Sequence, residues 1–183
     1  MSIQRLSDLL ISQIAAGEIV ERPASALKEL LENSIDAGAT EINIILEQAG
    51  IKQLLVSDNG CGIPEDELEL ALTRHATSKI YTSEDLSHIQ TLGFRGEALA
   101  SLAAISELDL TSRPPQADRA WTLHANNGML SKKKPAPHPI GTTIDSRDLY
   151  FNVPARRRFL KSEATEYHYC EEVFKQIALC YPN

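Results

Sequence analysis

The sequence predicts an α+β domain: an α/β sandwich whose mixed, mostly antiparallel sheet carries helices on one face. Three observations predict it. In residues 41–47, Ile42, Ile44 and Leu46 alternate with Glu41, Asn43 and Glu47; after Ala49-Gly50 a second strand puts Leu54, Val56 and Asp58 on one face, so the pair reads as a hairpin. Strand-like segments at 107–112, 121–125, 130–134 and 142–145 then follow one another, with Asn127-Gly128 as a hairpin turn. Helical patterns precede, interrupt and follow the strands without a regular βαβ alternation, so antiparallel neighbours dominate.

Each element has its own signal. Residues 1–20 hold Leu6, Leu9, Leu10, Ile14 and Ile19, a short helical pattern too small to be a domain, which has to pack on the body (21–183) or on a partner. Pro23 opens a helix and Gly38 closes it. Leu27, Leu30, Leu31 and Ile35 fall on one face of that helix, and Glu29, Asn33 and Asp36 stack on the other at i, i+4 and i+7. By itself that polar row is equally well an ordinary solvated face. Asp58 is harder to dismiss, because a carboxylate on the inward face of a strand is costly unless it binds a donor. Residues 63–75 read as a helix with Pro64 near its start and Glu65, Asp66 and Glu67 in the first turn, where the helix dipole favours acids. Residues 77–96 are irregular, with a short helix predicted after Ser83, and a loop of that length is commonly a lid or binding loop. Residues 98–105 are small and apolar all round, hence a buried helix; Pro154 opens a basic turn; residues 166–181 close the chain with Tyr167, Cys170, Phe174 and Ile177 on one helix face.

Composition bounds the function. The 183 residues suffice for one domain with a core, and 43% hydrophobic with 23% charged residues is ordinary for a globular protein. A net charge of −7 argues against a domain dominated by nucleic-acid backbone binding. Cys61, Cys170 and Cys180 are odd in number and lack metal-ligand spacing, which points to a reduced compartment. No signal peptide is evident, and no run approaches the ~20 apolar residues that span a membrane. The chain ends on Tyr181-Pro182-Asn183 directly after a helical pattern, so more protein is expected beyond it.

Four polar or glycine-rich elements occur in order: Glu29-x-x-x-Asn33-x-x-Asp36-Ala37, Asp58-Asn59-Gly60-Cys61-Gly62, Gly93-Phe94-Arg95-Gly96-Glu97 and Gly141-Thr142-Thr143. Five of the nine glycines fall in the last three, where backbone would have to approach a ligand closely. No Gly-x-x-x-x-Gly-Lys-Ser/Thr loop is present, which excludes a P-loop. Each element alone is weak, but their order and spacing resemble the Bergerat-fold (GHKL) ATPases, the superfamily of gyrase B, Hsp90, sensor histidine kinases and MutL. Gln13-Ile14-Ala15-Ala16-Gly17-Glu18, Arg74-His75-Ala76-Thr77-Ser78-Lys79, Gly93-Phe94-Arg95-Gly96-Glu97-Ala98-Leu99 and Asn152-Val153-Pro154-Ala155-Arg156-Arg157 make the chain similar to the N-terminal domain of the MutL family of DNA mismatch-repair proteins over essentially its whole length.

That resemblance implies an ATP- or ADP-binding and ATP-hydrolysing domain with Mg²⁺. Glu29 is the implied general base and Asn33 the implied metal ligand, its amide oxygen suiting a hard cation that takes few protein ligands. Asp36 completes the row. Asp58 would accept from the adenine amino group, with Gly60 and Gly62 letting the chain pass near the base and Thr143 helping to hold a water beside Asp58. The segment Leu92, Gly93, Phe94, Arg95, Gly96, Glu97, Ala98 and Leu99 would form a phosphate nest at a helix start. Thr77, Ser78 and Lys79 resemble lid contacts, with Lys79 placed near phosphate or ribose. Of two basic clusters, Lys132-Lys133-Lys134 reads as a solvated loop, and Arg156-Arg157-Arg158 is either a helix start or, by resemblance, a group near the lid or a DNA groove. The family further implies an ATP-dependent N-terminal dimer, the mismatch-recognition protein MutS and weakly bound DNA as partners, no membrane, and a cytoplasmic, nucleoid-associated (bacterial) or nuclear (eukaryotic) location. A lysine from the following domain would reach the γ-phosphate, so turnover by these residues alone is expected to be slow. A topoisomerase subunit, or a non-enzymatic nucleotide-binding module or kinase of the same fold, are the competing readings; Glu29 stands against the kinase, and the lid and Arg-Arg stretches against the topoisomerase.

Overall fold

The structure is a computed structural model and describes residues 3–77, 79, 92–93 and 96–182. The short helix expected after Ser83, and Ser78, Phe94 and Arg95, lie outside the described residues. The helices are α1 (Asp8–Ile19), α2 (Pro23–Asp36), α3 (Leu68–Ala71), α4 (Ala98–Ile105), α5 (Pro154–Arg157) and α6 (Glu163–Cys180); the strands are β1 (Ile42–Glu47), β2 (Gln53–Asp58), β3 (Glu107–Arg113), β4 (Ala120–Asn126), β5 (Met129–Leu130), β6 (Lys134–Ala136) and β7 (Gly141–Arg147).

Among the described residues all seven strands belong to one sheet in the order β1-β2-β7-β3-β4-β5, with β6 also paired to β4. Every pairing between them is antiparallel. The strand period of two sorts the sheet into two faces. Leu54, Val56, Leu108, Leu110, Leu123 and Ile144 point inward, where they form one core with Leu27, Leu30 and Leu31 of α2, Leu102 and Ile105 of α4 and Cys170 of α6. The opposite face carries polar cross-strand pairs: Thr111 donates to Thr122, Asp109 meets His124, and Ser57 meets Thr143.

Helix α2 begins as its sequence dictates. Pro23 occupies the first turn, where its missing N–H costs nothing, and Ala37 ends the helix ahead of Gly38 at φ +72°. Its apolar stripe drives it onto β2 and α6, fixing the polar row on its other side. Helix α6 is tied to the start of α2 by Glu166, which is fully buried, accepts the Lys161 N–H at 2.8 Å and stands 3.8 Å from Arg22. Helix α1 packs on α4 through Ala16 and beside Tyr150 through Val20, both buried. The Tyr150 hydroxyl donates to the Val20 carbonyl at 2.7 Å, and Arg156 donates to the Gly17 carbonyl. These contacts join α1 to α4 and to the 150–156 segment, while Leu9, Leu10 and Ile14 of α1 are exposed.

Two elements are shorter than the sequence predicts. The helix expected over 63–75 is a 3₁₀ turn at Glu65–Glu67 followed by the single turn of α3. Only Leu68 and Leu72 are buried there, and Leu70 is exposed, so little apolar surface is available to hold a longer helix. The strand expected over 130–134 is split into β5 and β6, and between them Lys133 turns to donate to the Glu65 carbonyl at 3.0 Å. Pro135, which cannot donate to a ladder, lies in the short edge strand β6.

Candidate functional site

The site lies where the C-terminal half of α2 crosses the end of β2 and faces the start of α4. Helical period brings Glu29, Asn33 and Asp36 to one side of α2, and all three are half-buried, not fully solvated. Between them and the core stands Ser34, which is buried and turned toward the sheet.

Asp58, the last residue of β2, is the polar end of an otherwise apolar inward row. Its carboxylate is well supplied with donors. Oδ1 accepts the Gly60 N–H at 2.9 Å and the Thr142 N–H at 3.3 Å, and Oδ2 accepts the Ser34 hydroxyl at 2.9 Å. With two donors on Oδ1 and one on Oδ2, the unused lone pair is on Oδ2. Gly60 is held there as the chain folds back against α2, the Cys61 N–H bonding the Ala37 carbonyl at 2.9 Å. Gly62 has φ +67° and passes so near the Arg113 carbonyl that a Cβ would overlap it. Ser112 joins this turn to the sheet: its hydroxyl meets Thr142 Oγ1 at 2.8 Å and accepts the Ile63 N–H at 2.8 Å.

A second cluster gathers at the Asp36 end of α2. The Lys79 ammonium lies 2.6 Å from Asp36 Oδ2 and donates to Asn33 Oδ1 at 2.8 Å. Asp36 Oδ1 accepts the Leu92 N–H at 3.1 Å, and Oδ2 accepts the Gly93 N–H at 3.4 Å. Thr77 Oγ1 accepts the Lys79 N–H at 3.2 Å. Two backbone donors, an amide oxygen, a carboxylate and an ammonium therefore converge on one polar notch. Gly96 makes the chain's return to α4 feasible. It has φ +62° and lies against the Ala76 carbonyl where a Cβ would collide. Glu97 Oε1 lies 2.9 Å from His75 Nδ1, and Ala98 and Leu99 are the half-buried first turn of α4.

Two sequence assignments change. Thr143 is directly opposite Ser57 in the β2–β7 ladder and bonds Ser57 Oγ and His138 Nε2, each at 2.7 Å. It is thus on the outer face of the sheet. Its neighbour Thr142, opposite Asp58, is the residue that reaches the carboxylate. Strand alternation forces this choice: adjacent residues cannot share a face. Ser34, absent from the sequence reading, is the other addition; a small hydroxyl one residue past Asn33 looks like filler until β2 is docked on it. Arg156 is engaged on Gly17 of α1, while Arg157 and Arg158 are exposed.

The sequence profile of the "Histidine kinase-, DNA gyrase B-, and HSP90-like ATPase" family matches residues 21–150. The chain is 62% identical over its whole length to the DNA mismatch repair protein MutL of Thiobacillus denitrificans, covering 31% of that protein. It is 58% identical over 98% of its length to MutL of Aliivibrio salmonicida, covering 28%. It thus spans about three tenths of the curated relatives it matches. Among solved structures, the Aquifex aeolicus MutL ATPase domain complexed with ADP superposes with a TM-score of 0.73 at 32% identity, over 90% of this chain and 57% of that one. The N-terminal domain of a DNA repair protein superposes at 0.75, also at 32% identity, over 90% and 47%. With the profile match over most of its length, this chain belongs to the histidine kinase-, DNA gyrase B- and HSP90-like ATPase family.

Proposed function

We propose that the chain binds ATP and ADP across α2 and hydrolyses ATP as the nucleotide switch of a MutL-type mismatch-repair protein. The observation that carries the reading is the half-buried, donor-rich carboxylate of Asp58, opposite an α2 polar row whose far end meets the Leu92 and Gly93 N–H groups. Asp58 Oδ2 has a lone pair for the adenine amino group, with Ser34 and Thr142 orienting the carboxylate. At the other end, the Leu92 and Gly93 N–H groups and Lys79 supply positive potential for phosphate oxygens. Glu29, one turn before Asn33, takes the proton of the attacking water.

The donor set fits Mg²⁺. Asn33 Oδ1 and Asp36 Oδ2 are hard oxygens that already share one cation, the Lys79 ammonium. Asn33 would hold the metal, which neutralises developing phosphate charge when bound. The superposition on an ADP-bound relative supports the nucleotide class, and the identity to MutL proteins supports a role in mismatch repair. ATP-dependent pairing of two copies, MutS and DNA as partners, and a cytoplasmic, nucleoid-associated setting belong to the same proposal. Among the described residues no helix is long and apolar enough to cross a membrane. Slow turnover by these residues alone belongs to the same proposal, since the resemblance implies that the γ-phosphate lysine comes from outside them.

Calorimetric titration with ADP and ATP in Mg²⁺, paired with phosphate release, tests the reading. Binding of adenine nucleotides with slow release is expected; absence of binding by the folded chain would overturn it.

A further inference from the structure

The notch at the end of α2 contains more charge than a fold requires. Lys79 reaches across to α2 and puts its ammonium within hydrogen-bond distance of two oxygens, Asn33 Oδ1 at 2.8 Å and Asp36 Oδ2 at 2.6 Å. The pair is well shielded, the Lys79 side chain being 19% and the Asp36 side chain 10% exposed. Asp36 in turn occupies the Leu92 and Gly93 N–H groups. A carboxylate in that position, without a cation, would be strongly disfavoured. A Cβ on Gly93 would come within 3.3 Å of the ammonium, so the glycine lets the chain close down on it.

We propose that this arrangement is an internal copy of the ligand's charges: the Lys79 ammonium holds the cation point and the Asp36 carboxylate holds the phosphate-binding N–H groups while the site is free of nucleotide. The inference rests on the nucleotide reading above and adds a regulatory consequence. Metal has no open position until phosphate displaces Asp36 from the N–H groups and Lys79 swings off Asn33. Phosphate and metal therefore enter together, and a divalent cation alone does not charge the site. Keeping the pair satisfied also removes the like-charge and desolvation penalties that the notch would otherwise carry between turnovers.

The test uses Mn²⁺ as probe and the nucleotide-free 183-residue chain, read by electron paramagnetic resonance and water-proton relaxation. The parent should show no specific Mn²⁺ site. Lys79→Met should gain one, with affinity at least tenfold above the parent, because Asn33 and Asp36 are left converging on an uncompensated point. Lys79→Ala should behave alike, so the result does not depend on one variant folding, and Lys79→Arg, which keeps the cation, should gain little. Adding Asn33→Ala to Lys79→Met should abolish the gained site. Equal Mn²⁺ affinity in the parent, Lys79→Met and Lys79→Ala, each with an intact thermal melt, overturns the placeholder, as does a gained site indifferent to Asn33→Ala. ADP binding measured on the parent stays separate. A parent that binds ADP while its Lys79 variants gain no Mn²⁺ loses only the placeholder. A gained Mn²⁺ site in a chain that never binds ADP keeps the charge placeholder and loses the nucleotide reading.

Discussion

Replacing Asp58 by Asn separates recognition of the base from support of the fold, because the two uses of the carboxylate fall on different oxygens. Oδ1 takes the Gly60 and Thr142 N–H groups, and Oδ2 takes the Ser34 hydroxyl and has the free lone pair. An asparagine must keep its oxygen toward the two backbone donors; the flipped amide would set an NH₂ against them. Its nitrogen then faces Ser34, whose hydroxyl is 3.2 Å from the Leu30 carbonyl and can donate there while accepting from the new amide. All three protein partners are thereby kept, and the stability change should be under about 1 kcal/mol. Ligand recognition changes sign. Where the carboxylate is proposed to accept from the adenine amino group, the variant presents a second donor. Losing a hydrogen bond to a charged group costs about 1.5–3 kcal/mol, and each 1.4 kcal/mol is tenfold, so ADP affinity should fall by roughly ten- to two-hundredfold. Guanine offers a carbonyl at that position, so GDP should weaken less or gain. Calorimetry with ADP and GDP on parent and variant, alongside thermal melts, gives both quantities. An intact fold with ADP affinity within about threefold of the parent and unchanged preference over GDP would remove Asp58 as the base reader.

Further expectations follow from the same geometry. Glu29→Ala should retain ADP binding and reduce phosphate release by ~10² to 10⁴, measured in single turnover; parent-like release would dismiss Glu29 as the base. Gly96→Ala forces a Cβ onto the Ala76 carbonyl at φ +62°, so nucleotide binding should weaken and the melting temperature drop, and a neutral result would contradict the close approach. Cys170 is buried, and burial together with Glu166 pushes its thiol up to about 11 from an ordinary 9, so a thiol reagent at pH 8 should label Cys61 and Cys180 first and reach Cys170 only on unfolding. Because the folded thiol keeps its proton where the unfolded one loses it, its stabilising contribution is complete below about pH 9 and fades toward pH 11; burial shifts the Tyr150 hydroxyl upward in the same sense, and chemical denaturation at stepped alkaline pH should show stability falling across that window.

How much of this was legible in the sequence depended on whether a local period could carry the information. The α2 row needed only the helical repeat, since Glu29, Asn33 and Asp36 are stacked by the backbone wherever the helix lies. Asp58 needed only alternation against Leu54 and Val56 in its own strand. The 98–105 helix was legible because every side of it is small and apolar, and the structure has α4 over those same residues. Legibility failed where parity had to be carried between strands. Gly141-Thr142-Thr143 offers two threonines one residue apart, and which of them faces Asp58 is set by the β2–β7 register, a long-range pairing with no local signature. Ser34 failed for a related reason: its partner is 24 residues away on another element.

Lys79 marks the deeper boundary. Its sequence context supports a cation near the phosphates, but nothing local reveals that the same cation neutralises Asp36 when no phosphate is there. A binding site has to be tolerable in two states, loaded and free. Sequence patterns selected around the loaded state speak of donors and acceptors for a ligand; the free state must find those donors and acceptors partners from within the chain. Here the partners are the site's own residues, with Asp36 on the N–H groups of Leu92 and Gly93, and Lys79 on Asn33 and Asp36. Such self-pairing lowers the cost of holding an empty charged notch in a half-buried position, and it raises the threshold for loading by the same interactions. The two effects cannot be tuned apart by changing Lys79 alone, so a variant that admits metal more readily should also be one whose empty site is less stable.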